Sequence, residues 1–467
     1  MNPWPRRWCR CFTCHDPPMT KIAVIDIGKT NAKLALVDAT GAEISVITRA
    51  NTVLQGPPYA HFDTEGIWRF LLDGLRAFQA AHGIDGISIT THGACAALLA
   101  ADGGLAAPVL DYEDAGPDSL RADYDAVRPD FALTGSARLP GGLNLGAQIF
   151  WQLARDPGLL ARLDTVVTWP QYWGFRLTGQ RACDLCSLGC HTDLWNPVEG
   201  TFSDLPARMG IANKIAPARR PGEVLGNLLP DLQAETGIGA VPVLVGIHDS
   251  NASLLPHLMA RAAPFSVIST GTWVVVMAMG AASVTLDPAR DTLINVNALG
   301  QPVPSARFMG GREYEMIREG RDTRATPADA RGVLARGLML WPSVVGDSGP
   351  FQGRKPGWSD AVRTPEETEV ALGYYLALMT AECLSQIGAQ GPSIVEGPFA
   401  ANPWYCQMLA AATGRGVVPS TSRTGTAAGA ALLFAPLEGG PKGATTKAPQ
   451  IDPWLAAYAT AWRAALN

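Results

Sequence analysis

The chain has 467 residues, 47% of them hydrophobic and 17% charged, with a net charge of −5. That balance fits packed domains rather than a disordered chain, and the length exceeds what one core usually fills, so two domains are expected. Without a basic run or an uninterrupted apolar stretch of about 18 residues, it argues against nucleic acid and against a helical membrane span.

The N-terminus, from Met1 to Cys9, lacks the apolar core of a signal peptide. Residues 1–18 read as a disordered extension and Met19 as the natural start; intact-mass measurement of the native protein checks this. Lys21 to Asp26 predicts a central strand. Ile27-Gly28-Lys29-Thr30-Asn31 is a polar turn, Lys33 to Val37 a second strand, and Glu43 to Ile47 a third. Three strands on tight turns predict an antiparallel meander. Asp63 or Thr64 caps a helix running to Ala80, with Ile67, Phe70, Leu71, Leu75 and Phe78 at helical spacing. A strand over Ile84 to Thr90 leads into Thr91-His92-Gly93-Ala94. Helices follow at Asn144 to Leu153, Pro157 to Leu163 and Gln171 to Leu177, the last closed by Gly179.

Past the middle, the apolar run Val241 to Val245 delivers Gly246-Ile247-His248-Asp249-Ser250, and a helix continues to Arg261. Alone, Asp249 reads first as a helix cap. Phe265 to Ser269 is a strand, Thr270-Gly271-Thr272 a turn, and Trp273 to Met279 a strand. Helices are expected at 365–388, 402–413, 425–435 and 453–466, a strand at 393–395, and a mobile stretch at 437–450. The second half restarts the first: strand, Gly/Thr turn, strand. Such turns let consecutive backbone N–H groups converge on a phosphate, and neither matches a Walker or Rossmann pattern.

Nine cysteines raise a metal reading. Cys9, Cys11, Cys14 and His15 cluster, as do Cys183, Cys186, Cys190 and His191, but a structural zinc joins two separated ligand pairs, so packed thiols are preferred. The odd count without a secretory signal points to a reducing cytoplasm.

Four motifs occur in order: Asp26 to Asn31, Gly246 to Asp249, Ser269 to Thr272, and Glu396-Gly397-Pro398-Phe399-Ala400. Together they resemble the FGGY carbohydrate kinases of the actin-like ATPase superfamily, closest to the rhamnulokinase and fuculokinase branch. The resemblance implies an α/β fold of two ribonuclease-H-like (actin-like ATPase) domains, each a mixed sheet flanked by helices, with an interdomain cleft. It places a sugar-binding domain at 19–252 and a nucleotide-binding domain at 253–467. It makes Asp249 the catalytic base and His248, Gly93 and Asn297 sugar contacts. Thr30, Asn31, Lys33, Thr270, Gly271, Thr272 and Gly397 become ATP and phosphate contacts, with Asp26 approaching Mg²⁺ through water. The implied reaction is ATP-dependent phosphorylation of a ketose, first a methylpentulose such as L-rhamnulose or L-fuculose. A pentulose (xylulose or ribulose) or a polyol is the alternative acceptor, and a non-kinase ATPase or sugar-binding module the alternative class. The implied partners are the sugar and ATP, in a monomer or homodimer. Pro398 and Phe399 depart from the family's usual glycines, Lys29 adds a charge to the first turn, and Tyr112-Glu113-Asp114 replaces the usual sugar-pocket pattern.

Overall fold

A computed structural model describes residues 21–38, 40–420, 425–435 and 450–466. The expected extension, its cysteine cluster and nearly all of the 437–450 stretch lie outside the described residues.

The meander is present as β1 (Lys21–Ile27), β2 (Asn31–Asp38) and β3 (Glu43–Ala50). After α1 (Thr64–His82), β4 (Gly86–Thr91) lies parallel to β1. α2 (Trp169–Thr178) follows, then β5 (Val224–Asn227), β6 (Pro242–Leu244), β7 (Ile247–His248) and α3 (Asp249–Ala260). The first sheet runs β5-β6-β4-β1-β2-β3, with β7 also pairing with β4. β1 and β4 are buried along nearly their whole length, which is why they read as apolar runs rather than alternating ones.

The second half repeats this order. β8 (Phe265–Thr270) pairs antiparallel with β9 (Val274–Met279); β10 (Thr292–Val296) and β11 (Pro302–Phe308) extend that side. α4 (Gly310–Arg318) and α5 (Pro365–Gln386) precede β12 (Ser393–Glu396), which is parallel to β8. α6 (Pro403–Thr413), β13 (Val417–Pro419), α7 (Thr426–Ala431) and α8 (Pro453–Ala464) complete it. Its sheet order is β10-β11-β9-β8-β12-β13.

The central strands of both sheets are buried on both faces. Ile25 and Leu34 pack against α1 and α2 through Ile67, Leu71, Leu75, Trp169 and Trp173. On the other face Val24, Ala35 and Val37 meet Leu254, Leu255 and Leu258 of α3 and Ala427 and Ala430 of α7. The same cluster continues into Val267 and Met277 of the second sheet. That sheet's far face packs on α5, α6 and α8, with Tyr374, Tyr375, Tyr405 and Trp462 buried. Two helices therefore lie between two sheets, α3 from the first half and α7 from the second. Each fully buried Leu in this layer contributes roughly 1.5–3 kcal/mol. The helices cross closely: a Cβ on Gly429 would come within 1.9 Å of the Ala252 carbonyl oxygen. His257 of α3 also reaches Glu396 at the end of β12, at 2.8 Å.

The sequence expectation for 157–163 shrinks to a four-residue turn of helix at Leu159–Arg162, and β10, β11 and α4 carried no expectation. Cys183 and Cys186 are fully buried, with burial pushing both thiols up, Cys183 to about 12.

Candidate active site

The site grows from the carboxyl ends of parallel strands. Asp26 on β1 lies opposite Thr90 on β4, and Thr91 lies opposite His248 on β7. Asp26, the His92-Gly93 loop and Asp249 therefore converge at the carboxyl end of the central strands, where open α/β sheets place their ligands.

Asp249 is not a cap. His248 occupies the cap position without a side-chain cap bond, and Asp249 is the first residue of α3. Its carboxylate accepts the Ser250 N–H at 2.6 Å and the Ser250 hydroxyl at 3.3 Å, and lies 3.3 Å from His248 Nε2. It keeps a third of its side-chain surface, 32%, open. His248 beneath it is buried, and Gly93 presses on its ring: a Cβ there would fall 2.7 Å from Nε2. Burial opposes charge on this imidazole. Cys190, Asp249 and Asp184 outweigh it and hold His248 above its ordinary value.

Burial also pushes the Asp26 carboxyl up, to about 6; the Thr426 hydroxyl, which donates to Oδ2, opposes the shift, and the nearby Asp249 charge adds to it. Thr426 comes from α7. The sequence reading missed it; the small-residue run Gly425-Thr426-Ala427-Ala428-Gly429 was the available signal, since only small side chains let a helix lie this close.

Thr30 and Asn31 are exposed on the first turn, where Gly28 N–H donates to the Asn31 carbonyl at 2.9 Å and Asn31 Nδ2 to the Thr30 hydroxyl at 3.1 Å. Lys33 pairs with Glu43 of β3, while its charge favours ionised Asp26. In the second turn Gly271 and Thr272 are exposed. Thr270 is buried instead: its hydroxyl donates to the Glu396 carbonyl and accepts the Phe399 N–H at 3.2 Å. Its part is to join the turn to the 396–399 loop. Gly397 makes that junction possible, with φ +80° and a virtual Cβ only 2.0 Å from the Thr270 carbonyl oxygen. Beside this junction opens a cleft of about 990 Å³, lined by Gly271, Thr272, Arg312, Tyr314, Phe399 and Trp404 among others.

Asn297 is drawn elsewhere. It is 1% exposed, its oxygen accepts from Leu299 and Gln301 N–H groups at 3.0 and 3.1 Å, and its amide nitrogen donates to Gln301. Both ends of the amide serve its own turn, and one amide N–H carries no partner among the described residues. Lys29, its side chain 19% exposed, pairs with Asp111 and Glu113.

Residues 21–256 match the model of the FGGY family of carbohydrate kinases, N-terminal domain, and residues 262–442 the carbohydrate kinase FGGY, C-terminal domain. The chain belongs to the FGGY family of carbohydrate kinases. A carbohydrate kinase from Novosphingobium aromaticivorans superposes with a TM-score of 0.88 at 37% identity, covering 96% of this chain and 98% of that one. An L-fuculokinase of Salmonella typhi is 25% identical over 266 residues, 55% of this chain and 56% of the relative. A xylulose kinase of Escherichia coli is 25% identical over 258 residues, 53% and 52% of the two chains. The matched region thus spans about half the length of these curated relatives. For an FGGY chain the arrangement is coherent: two exposed turns, one per sheet, flank a half-open carboxylate at a helix start. Among the described residues no helix is long and apolar enough to cross a membrane, and no group of three or more His, Cys, Asp or Glu side chains is placed to hold a metal by itself.

Proposed function

We propose that the chain transfers the γ-phosphate of ATP to a hydroxyl of a ketose. The observation that carries this reading is Asp249: a carboxylate at the carboxyl end of the first sheet, bonded only locally and open on one side. Phosphoryl transfer needs positioning and charge neutralisation more than covalent help. The adenosine occupies the cleft of Tyr314, Phe399 and Trp404, and the phosphates run past Gly271 and Thr272 toward Thr30 and Asn31. Asp249 accepts the proton of the attacking hydroxyl. Closure of the two halves excludes water, whose attack would hydrolyse ATP.

Asp26 supplies hard carboxylate oxygens, donors that suit Mg²⁺ held largely through water. Bound there, the ion would neutralise phosphate charge. Asp26, whose carboxylate accepts from the Thr426 hydroxyl, would hold it.

The first expected acceptor is a methylpentulose such as L-rhamnulose or L-fuculose, supported by the fuculokinase match. A pentulose is the second reading, because the xylulose kinase match extends as far. The free thiols of Cys95, Cys183, Cys186, Cys190, Cys383 and Cys406 suit a reducing cytoplasm. The test is ADP release from ATP across a panel of ketoses and polyols, with metal content measured alongside. Sugar-dependent release supports the kinase; sugar-independent hydrolysis, or none, favours a non-kinase ATPase or a sugar-binding module.

A further inference from the structure

Lys29 sits in the first phosphate-type turn, but its side chain leaves that turn. The ammonium pairs with Asp111 and lies 3.1 Å from Glu113 Oε2. It also stands 4.7 Å from the ring centre of Tyr112 and 5.3 Å from that of Phe62. Asp111 is buried and anchors the amine from below, whereas Glu113 is 65% exposed and faces outward.

The neighbours of this ion cluster are short of partners. The His92 ring packs 5.3 Å from both Phe62 and Tyr112 and 6.3 Å from Trp169. Among the described residues, His92 Nε2 and Trp169 Nε1 are buried with no hydrogen-bond partner. Buried polar atoms left unpaired are costly, so two together beside the His92-Gly93 loop point to a ligand that completes them. Gly93, next to His92 in the chain, presses on the His248 ring, whose Nε2 lies 3.3 Å from Asp249, so this box adjoins the candidate base.

The box offers an ammonium and an indole N–H as donors and carboxylates as acceptors. A polyhydroxy compound uses both kinds, since every hydroxyl donates and accepts. A carboxylated sugar fares worse. Lys29 is already matched by two carboxylates, leaving the trio with one net negative charge, and Asp249 and Asp26 stand nearby.

We infer that Lys29 is a specificity residue of the acceptor pocket rather than a phosphate ligand, and that with Asp111 and Glu113 it selects uncharged polyhydroxy acceptors over acid sugars. This rests on the kinase reading above.

The experiment uses the full chain in the ADP-release assay with neutral ketoses and polyols, and gluconate as the acid probe. Neutral acceptors should be turned over and gluconate not. K29M should raise KM for the sugar roughly ten- to hundredfold, the scale of losing a hydrogen bond to a charged group, while KM for ATP stays put. Because K29M strands buried Asp111, K29M/D111N is measured too, with thermal melting to show that both fold; the double variant should keep the sugar-KM defect. E113Q should raise gluconate turnover relative to the neutral sugar. A rise in KM for ATP with sugar KM unchanged in K29M/D111N overturns the assignment, and gluconate turned over as fast as the neutral sugar overturns the selection. Wild-type protein that releases no ADP with any acceptor sinks the kinase reading itself, and this inference with it.

Discussion

Asp249 illustrates how much a single position in a helix decides. As a cap its carboxylate would close the helix end. One residue further in, it accepts from Ser250, lies beside His248 Nε2 and leaves an open side. D249A should lower kcat by about two to four orders of magnitude, the scale for losing a positioned general base, while sugar binding by calorimetry largely persists. Near-normal kcat removes Asp249 from that role. Glu313 is a second residue-scale case. It is buried on α4, where its carboxylate accepts from Val345 N–H and the Tyr375 hydroxyl, both at 3.0 Å. Burial still pushes it from 4.5 up to about 7. Between those values the folded chain keeps a proton that the unfolded chain releases, so stability falls as pH rises and the penalty is complete above the folded value. E313Q should flatten this slope and, at pH 8, exceed the wild type by on the order of 3 kcal/mol. Melting curves from pH 5 to 8 check it; an unchanged slope contradicts the account.

At the scale of elements, two glycines fix how parts approach. A side chain at Gly397 collides with the Thr270 carbonyl and strains a backbone at φ +80°. G397A should therefore separate the second turn from the 396–399 loop and raise KM for ATP, read by initial rates at saturating sugar. G429A drives a methyl into the Ala252 carbonyl, and should lower stability by roughly 1–3 kcal/mol, read as a lower Tm. These contacts also mark what the sequence could tell. Both turns, the strands beside them and the start of α3 were legible, because each is set by residues adjacent in the chain. β10, β11 and α4 were not. β10 and β11 carry Asn295, Pro302, Pro304 and Ser305 within short strands, and α4 reads as Arg, Glu and Tyr with only Gly310 and Glu313 buried. The site divided the same way. The places of Asp249 and the turn residues at strand ends could be read from local pattern, and the base role for Asp249 came only with the family resemblance; the direction of Lys29, the closed turn around Asn297 and the Thr426 contact depend on what the fold brings alongside.

For the whole molecule, the shared apolar layer of α3 and α7 is the joint about which the two sheets sit. Sugar bound at the first sheet and nucleotide at the second should draw the halves together. Small-angle scattering should then give a smaller radius of gyration with acceptor plus a non-hydrolysable ATP analogue than with either alone. An unchanged value in the ternary mixture argues against closure as the way water is excluded.

The Thr426–Asp26 contact spans 400 residues of sequence. During synthesis at 5–20 residues per second, Asp26 waits roughly 20–80 s before the ribosome reaches its partner. Until α7 emerges, Val24, Ala35 and Val37 have no cover from Ala427 and Ala430. The nascent first half therefore carries a partly open apolar face and an untethered carboxylate, and the candidate site is assembled only once α7 has emerged.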